Sequence, residues 1–238
     1  MLYLIGLGLN EKGISLQGLE SLKKCKKIYL ENYTVDLPYK IDKLERLIGK
    51  KIIIADRLFV ESEISEIIKE AKKQDVAILV YGSPLIATTH ITLIQEAKNQ
   101  KVEFQIIHNA SILDAVTETG LQIYKFGKIA SMPKWEKNFT PESFIEIVKE
   151  NQKINAHTLI LIDIGLDIKD AVKQIKISCK NKKIKLDKII ICQLMGTKDK
   201  KILYGKIEKL KDKKIKKPYC IIIPSELHFV EQNVLESF

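Results

Sequence analysis

Apolar positions along this chain alternate between two patterns. Short unbroken runs, "LYLIGLG", "KIYLENY", "KIIIA", "DVAILVYG" and "VEFQIIHN", read as strands buried on both faces. Between them the apolar residues fall at helical spacing. Leu16, Leu19 and Leu22 do so in "SLQGLESLKKC", and a short amphipathic stretch covers Ile41 to Ile48. Ile64, Ile67, Ile68 and Ala71 share one face of "SEISEIIKEAKKQ", for which Ser62 is the expected cap. Further helices are expected from Thr88 to Asn99 and from Ser111 to about Thr119. This βαβα order predicts a mostly parallel sheet covered on both faces.

The segment "GKIASMPKWEKNFTPES", Gly127 to Ser143, breaks both rhythms and carries two prolines and the chain's one tryptophan. A domain boundary is therefore expected near Ala130 to Lys137, giving an N-terminal domain 1–130 and a C-terminal domain 131–238. Beyond it, "PESFIEIVKENQ" and "DAVKQIKISCK" read as helices, and "HTLILID" and "KIIICQL" as strands. The closing stretch reads as a strand, "YCIII", and a final helix capped by Ser225. The fold class is thus α/β in two domains, the second repeating the doubly wound style of the first on a smaller scale. In that arrangement, loops at strand ends can face one another across a cleft.

With 238 residues, 45% of them hydrophobic, the chain is long enough for two modest cores. No window approaches the apolar length of a membrane span, and the first residues lack the basic lead and cleavage site of a signal peptide. Cys25, Cys179, Cys192 and Cys220 form no CxxC pair, which fits reduced thiols in a cytoplasmic protein rather than a disulfide framework or a zinc site. The formal charge of +10 raises nucleic acid as a partner. Only Arg46 and Arg57 supply arginine's planar fork, however, and the lysines lie in clusters such as "KLKDKKIKK" that suit solvated faces. Attraction of an acidic protein or of an RNA-bearing complex is the alternative use of that charge.

"GLGLNE", Gly6 to Glu11, is a near miss to the dinucleotide fingerprint. Glu11 stands where the third glycine is required, and helical signals resume only at Ser15. No phosphate-binding GxxxxGK[ST] and no GxSxG is present. His90, His108, His157 and His228 lie on separate elements, so no metal site is expected and no catalytic side chain is singled out. His108, ending an apolar strand, and His228, opening the last helix, are the histidines least explained by packing. Asp163 and Asp167 suit loop and cap roles. The informative stretch is "VYGSPLIATTH", where an apolar strand ends in Gly82-Ser83-Pro84 before a helix. A strand, a tight loop and a helix start in that order mark a pocket at the carboxyl end of a parallel sheet.

"MLYLIGLGL", "GLESLKKCKKIYLENYT", "YGSPLIATTH", "IHNASI", "GLQIYKFGK" and "IIPSELHFVE" together resemble the diphthine synthases. These belong to the tetrapyrrole-methylase-like class of S-adenosylmethionine-dependent methyltransferases. The resemblance runs through essentially the whole chain in order. It implies two α/β domains with the cofactor in the cleft between them, a homodimer, and a modified histidine of translation elongation factor 2 as substrate. Carried over by motif, it implies cofactor contacts at Leu9, Ser83, Ile86, Ser111, Ile112, Ile162, Tyr204 and His228. The family usually has Gly-Asp-Pro where this chain has Gly82-Ser83-Pro84, so a hydroxyl replaces a carboxylate there. A methyltransferase for tetrapyrrole precursors and a cofactor-binding protein without activity are the competing readings.

Overall fold

The computed structural model describes residues 1–238. The chain divides between Asp114 and Ala115 into two compact units.

In the first unit, β1 (Leu2–Gly6), α1 (Leu16–Lys24), β2 (Lys27–Glu31), α2 (Ile41–Ile48) and β3 (Ile53–Ala55) are followed by α3 (Arg57–Ser62) and α4 (Ile64–Lys73). Then come β4 (Val76–Val80), α5 (Ile91–Asn99), β5 (Phe104–Ile107) and the start of the short α6 (Ile112–Ala115). The sheet has the order β3-β2-β4-β1-β5, and every pairing in it is parallel. Alternation along β1 explains its unbroken apolar run. Leu2 and Leu4 enter one core with Ile67, Ile68, Leu93 and Ala97, while Tyr3 and Ile5 enter the opposite core with Leu22 and Leu44. Consequently α1 and α2 lie on one face, and α4 and α5 on the other.

Two helix starts in this unit differ from the sequence reading. Asp56, not Ser62, begins the helical region after β3, accepting a hydrogen bond from the Phe59 amide at 2.9 Å. This places Ser62 at the end of α3 and leaves Glu63 to begin α4 without a side-chain cap. The helix α5 starts at Ile91, not Thr88, because His90 ties Thr88 and Pro84 into the preceding loop. Leu16, at the first position of α1, is exposed; Leu22 carries that helix's burial.

The second unit begins with α6 running on into a 3₁₀ turn at Val116–Thr119. It continues through β6 (Ala130–Met132), α7 (Ser143–Lys153), β7 (Thr158–Ile162), α8 (Ile168–Lys182), β8 (Lys188–Gln193) and β9 (Lys201–Lys206). A short α9 (Ile207–Leu210), β10 (Tyr219–Ile223) and α10 (Phe229–Leu235) close it. The expected boundary near residue 130 falls inside this unit, because residues 120–127 are tied to it. Gly127 and Lys125 exchange backbone hydrogen bonds with His157, and the Gln122 amide donates to Glu231.

The second sheet, order β6-β7-β10-β8-β9, is not doubly wound as expected. Only β6 and β7 run parallel, and the remaining pairs are antiparallel. Its helix-covered face packs Ile160, Ile189, Ile191, Ile221 and Ile223 against Phe144, Val148, Val172 and Ile175. The edge strand β9 is absent from the sequence reading, since lysines at both ends and Gly205 mask its partly buried middle. The final helix is capped by His228 rather than Ser225. His228 Nδ1 accepts from the Val230 amide, and the Glu231 carboxylate accepts from the His228 amide at 2.8 Å.

Candidate functional site

The helices that follow β1 and β4 leave toward opposite faces of the first sheet, although the two strands are neighbours. Such a switch point opens a crevice beyond the carboxyl ends of the strands, the usual ligand position in an open α/β sheet. The chain closes this end with backbone groups. Gly8 and Gly82 exchange hydrogen bonds at 3.1 and 3.0 Å, and Gly8 holds a left-handed φ of 69° that a side chain would strain. At Gly6 the constraint is steric: a Cβ there would lie 2.6 Å from the Gly82 carbonyl oxygen.

Asn109, just past β5, braces the same loops. Its amide nitrogen donates to the carbonyls of Gly6 and Gly13, both at 2.9 Å, and its oxygen accepts from the Ala110 amide at 2.8 Å. Next to it, Ser111 is buried. Its amide and hydroxyl both donate to Asp114 Oδ2, at 2.6 and 3.0 Å, and its hydroxyl accepts from the Leu113 amide at 3.1 Å. This is the reciprocal geometry of a capping box, written in the sequence as S-x-x-D. The Tyr81 hydroxyl donates to the Leu9 carbonyl at 2.9 Å, and burial raises the Tyr81 pKa.

The loop 83–90 is held from below by His90, which is almost fully buried. Its Nδ1 lies 2.8 Å from the Thr88 hydroxyl and 3.3 Å from the Pro84 carbonyl, and its Nε2 lies 3.3 Å from the Tyr33 hydroxyl. A carbonyl only accepts, so Nδ1 carries the proton and Nε2 accepts from Tyr33. Burial lowers the His90 pKa, despite Glu31 and Glu61 nearby, and keeps the ring neutral. Tyr33 is pushed up to about 12, by burial first and then by Glu31. His90 is thus committed to shaping the loop, and His108 lies exposed beyond β5.

Leu9, Ser83, Ile86 and Ser111 therefore stand on loops after β1, β4 and β5, with Ile112 opening the short α6, all at one end of one sheet. Ser83 and Leu9 are buried, while Ile86 is exposed. The three residues expected in the second half are not gathered in the same way. Ile162 ends β7; Tyr204 sits in the edge strand β9 opposite Ile190, with Lys188 Nζ 5.1 Å from its ring centroid. His228 caps α10 and is exposed. Asp163 accepts from the Lys134 and Ile164 amides, the loop role expected of it. Sequence reasoning did not single out Asn109, Tyr81 or Glu231. For Ser111 the S-x-x-D spacing was a usable signal, but nothing local marks Asn109, whose partners Gly6 and Gly13 are distant in sequence.

The four cysteines are buried free thiols, and no helix is long and apolar enough to cross a membrane. Comparison with known proteins gives this geometry a family. The model of the tetrapyrrole (corrin/porphyrin) methylases matches residues 1–211. A diphthine methyl ester synthase of Schizosaccharomyces pombe is 52% identical over 165 residues, which is 69% of this chain and 58% of that protein. The corresponding protein of Saccharomyces cerevisiae is 48% identical over 166 residues, 69% of this chain and 55% of its own. The matches thus span little more than half the length of these fungal relatives. The diphthine synthase of Methanocaldococcus jannaschii is 38% identical over 253 residues, covering 99% of this chain and 98% of that one. A crystal structure of diphthine synthase superimposes with a TM-score of 0.91 at 32% identity, covering 100% of this chain and 95% of the other. A chain matched through its length in both sequence and fold, with its loops gathered at the crevice between β1 and β4, belongs to the diphthine synthase branch of the tetrapyrrole (corrin/porphyrin) methylase family.

Proposed function

We propose that this protein is an S-adenosylmethionine-dependent methyltransferase of diphthamide biosynthesis. It methylates the amino group of the aminocarboxypropyl-histidine of translation elongation factor 2, as a homodimer in the cytoplasm. The observation that carries the reading is the end-to-end match to an archaeal diphthine synthase. The residues present fit the cofactor. Gly6 and Gly8 let backbone approach where a Cβ would collide, and the surrounding loops offer main-chain groups with the side chains of Leu9, Ser83, Ile86, Ser111 and Ile112. Ile162, Tyr204 and His228 are proposed with them on the strength of the sequence resemblance.

When bound, S-adenosylmethionine supplies a methyl group already activated on a positively charged sulfur. The protein's part is then to orient the acceptor and to exclude water, and alignment of reacting groups is itself a large rate effect. The acceptor amine must be neutral to attack. For a pKa of ~8–10, deprotonation at pH 7 costs about 1.4–4 kcal/mol, which desolvation and solvent supply without a dedicated base. The buried His90, engaged on both ring nitrogens, shapes the loop rather than moving this proton.

The test is methyl transfer from labelled S-adenosylmethionine to elongation factor 2 that already carries the aminocarboxypropyl group. A tetrapyrrole precursor serves as a parallel acceptor. Label is expected on the factor. Label on the tetrapyrrole instead, or cofactor binding with transfer to neither, overturns the reading.

A further inference from the structure

The most heavily hydrogen-bonded side chain of the second unit is Glu231, in the first turn of α10. Its carboxylate is fully buried and accepts four hydrogen bonds. Oε1 takes the Gln122 amide at 3.0 Å and His157 Nε2 at 3.4 Å; Oε2 takes Lys125 Nζ at 2.6 Å and the His228 amide at 2.8 Å. The two charged or titratable partners reach onward to the same short segment. Lys125 Nζ also donates to the Glu226 carbonyl at 2.9 Å. His157 Nδ1 accepts from the Ser225 amide at 3.0 Å, which fixes its proton on Nε2, facing Glu231. Residues 225–228 are therefore held at three points, and every hold leads back to one carboxylate. The His228 ring is held in turn, Nδ1 accepting from the Val230 amide at 3.4 Å and its plane lying against Phe229 with ring centroids 4.3 Å apart.

A buried carboxylate with this many donors exceeds what ending one helix requires. An N-cap needs one or two such bonds; here the network reaches three separate stretches of chain. We propose that Glu231 is a positioning residue that, through Lys125 and His157, holds segment 225–228 in the conformation that presents the His228 side chain to the ligand. The proposal rests on the reading of His228 as a cofactor contact.

The experiment is calorimetric titration of S-adenosylmethionine into four proteins: wild type, Lys125→Met, His228→Ala and the double variant. Each is measured well below its melting temperature, with the folded fraction verified by circular dichroism. Lys125→Met is chosen because Glu231→Ala is the variant at greatest risk of failing to fold. Each single change is expected to weaken binding about tenfold, and the double change to weaken it little further, because both act through one side chain. A purely structural role for the network lowers the melting temperature of Lys125→Met but leaves the affinity of its folded form unchanged, and that result overturns the proposal. Additive losses, or normal affinity in His228→Ala, overturn it as well. Failure of the wild type to bind S-adenosylmethionine sinks the methyltransferase reading itself, and this inference with it.

Discussion

At the scale of single residues, the carboxyl end of the first sheet depends on side chains that are missing. Gly6 leaves room for the Gly82 carbonyl, and an added methyl would meet it at 2.6 Å and the Asn109 Cβ at 2.9 Å. Neither neighbour is the loose tip of a flexible side chain, so the strain falls on backbone. Gly6→Ala is expected to lower stability by about 1–3 kcal/mol and to weaken S-adenosylmethionine binding; chemical denaturation and calorimetry would check the two effects. An alanine variant with unchanged stability and affinity would show that the loops yield freely. The geometry of this candidate site was half legible. The glycines were visible as a means of close backbone approach, and the loop Gly82-Ser83-Pro84 as a pocket wall. What closes the wall was hidden, because Asn109 acts on Gly6 and Gly13, and an asparagine after a strand looks like any loop residue.

At the scale of elements, the apolar patterns located the long strands and helices but missed the short or partly exposed β6, β9, α3 and α9, and caps and edges misled. Ser62 and Ser225 are common cap residues near helix starts, yet Ser62 ends a helix that Asp56 caps, and His228 caps the last one. Histidine is an unusual N-cap, and its use here depends on Glu231 three residues on. β9 escaped notice because a strand paired on one side only is neither fully apolar nor cleanly alternating. The same packing sets a pH dependence. Burial lowers the pKa of His157, which faces Glu231 and Lys125, and that of His90. Both imidazoles fold as the neutral form, so the unfolded chain binds protons that the folded one refuses. Stability is complete above the ordinary histidine range and declines as pH falls below about 6.5. Glu231 is held down to about 2 by its four donors, against the opposing effect of burial. It adds a second loss as pH drops from about 4.5 toward 2. Melting temperatures recorded from pH 7 to pH 4 should fall throughout; a flat profile between pH 7 and pH 5 would mean the two histidines are protonated without penalty.

At the scale of the whole molecule, the charge of +10 lies on lysines that are mostly exposed. Several are paired at the surface, as Lys182 is with Glu146 and Lys176 with Glu208, and such pairs contribute little stability. At longer range such lysines attract acidic surfaces through a field that salt screens, and the proposed protein substrate allows that effect to be measured. Methyl-transfer rates on elongation factor 2 at subsaturating concentration should drop as sodium chloride rises from 50 to 500 mM, by about tenfold or more if steering operates. A rate indifferent to salt would remove that role. The two-part α/β organisation was readable from the order of elements, but the strand directions of the second half were not, since apolar runs carry no sign of direction. The open margin of that second sheet has its own consequence. Lys201 and Lys206 stand exposed at the two ends of β9, where a neighbouring molecule would have to bury their ammonium groups to zip onto the vacant ladder. Neutralising both would turn a guarded border into an adhesive one, making the protein prone to fibrous self-association before its folded state was otherwise harmed.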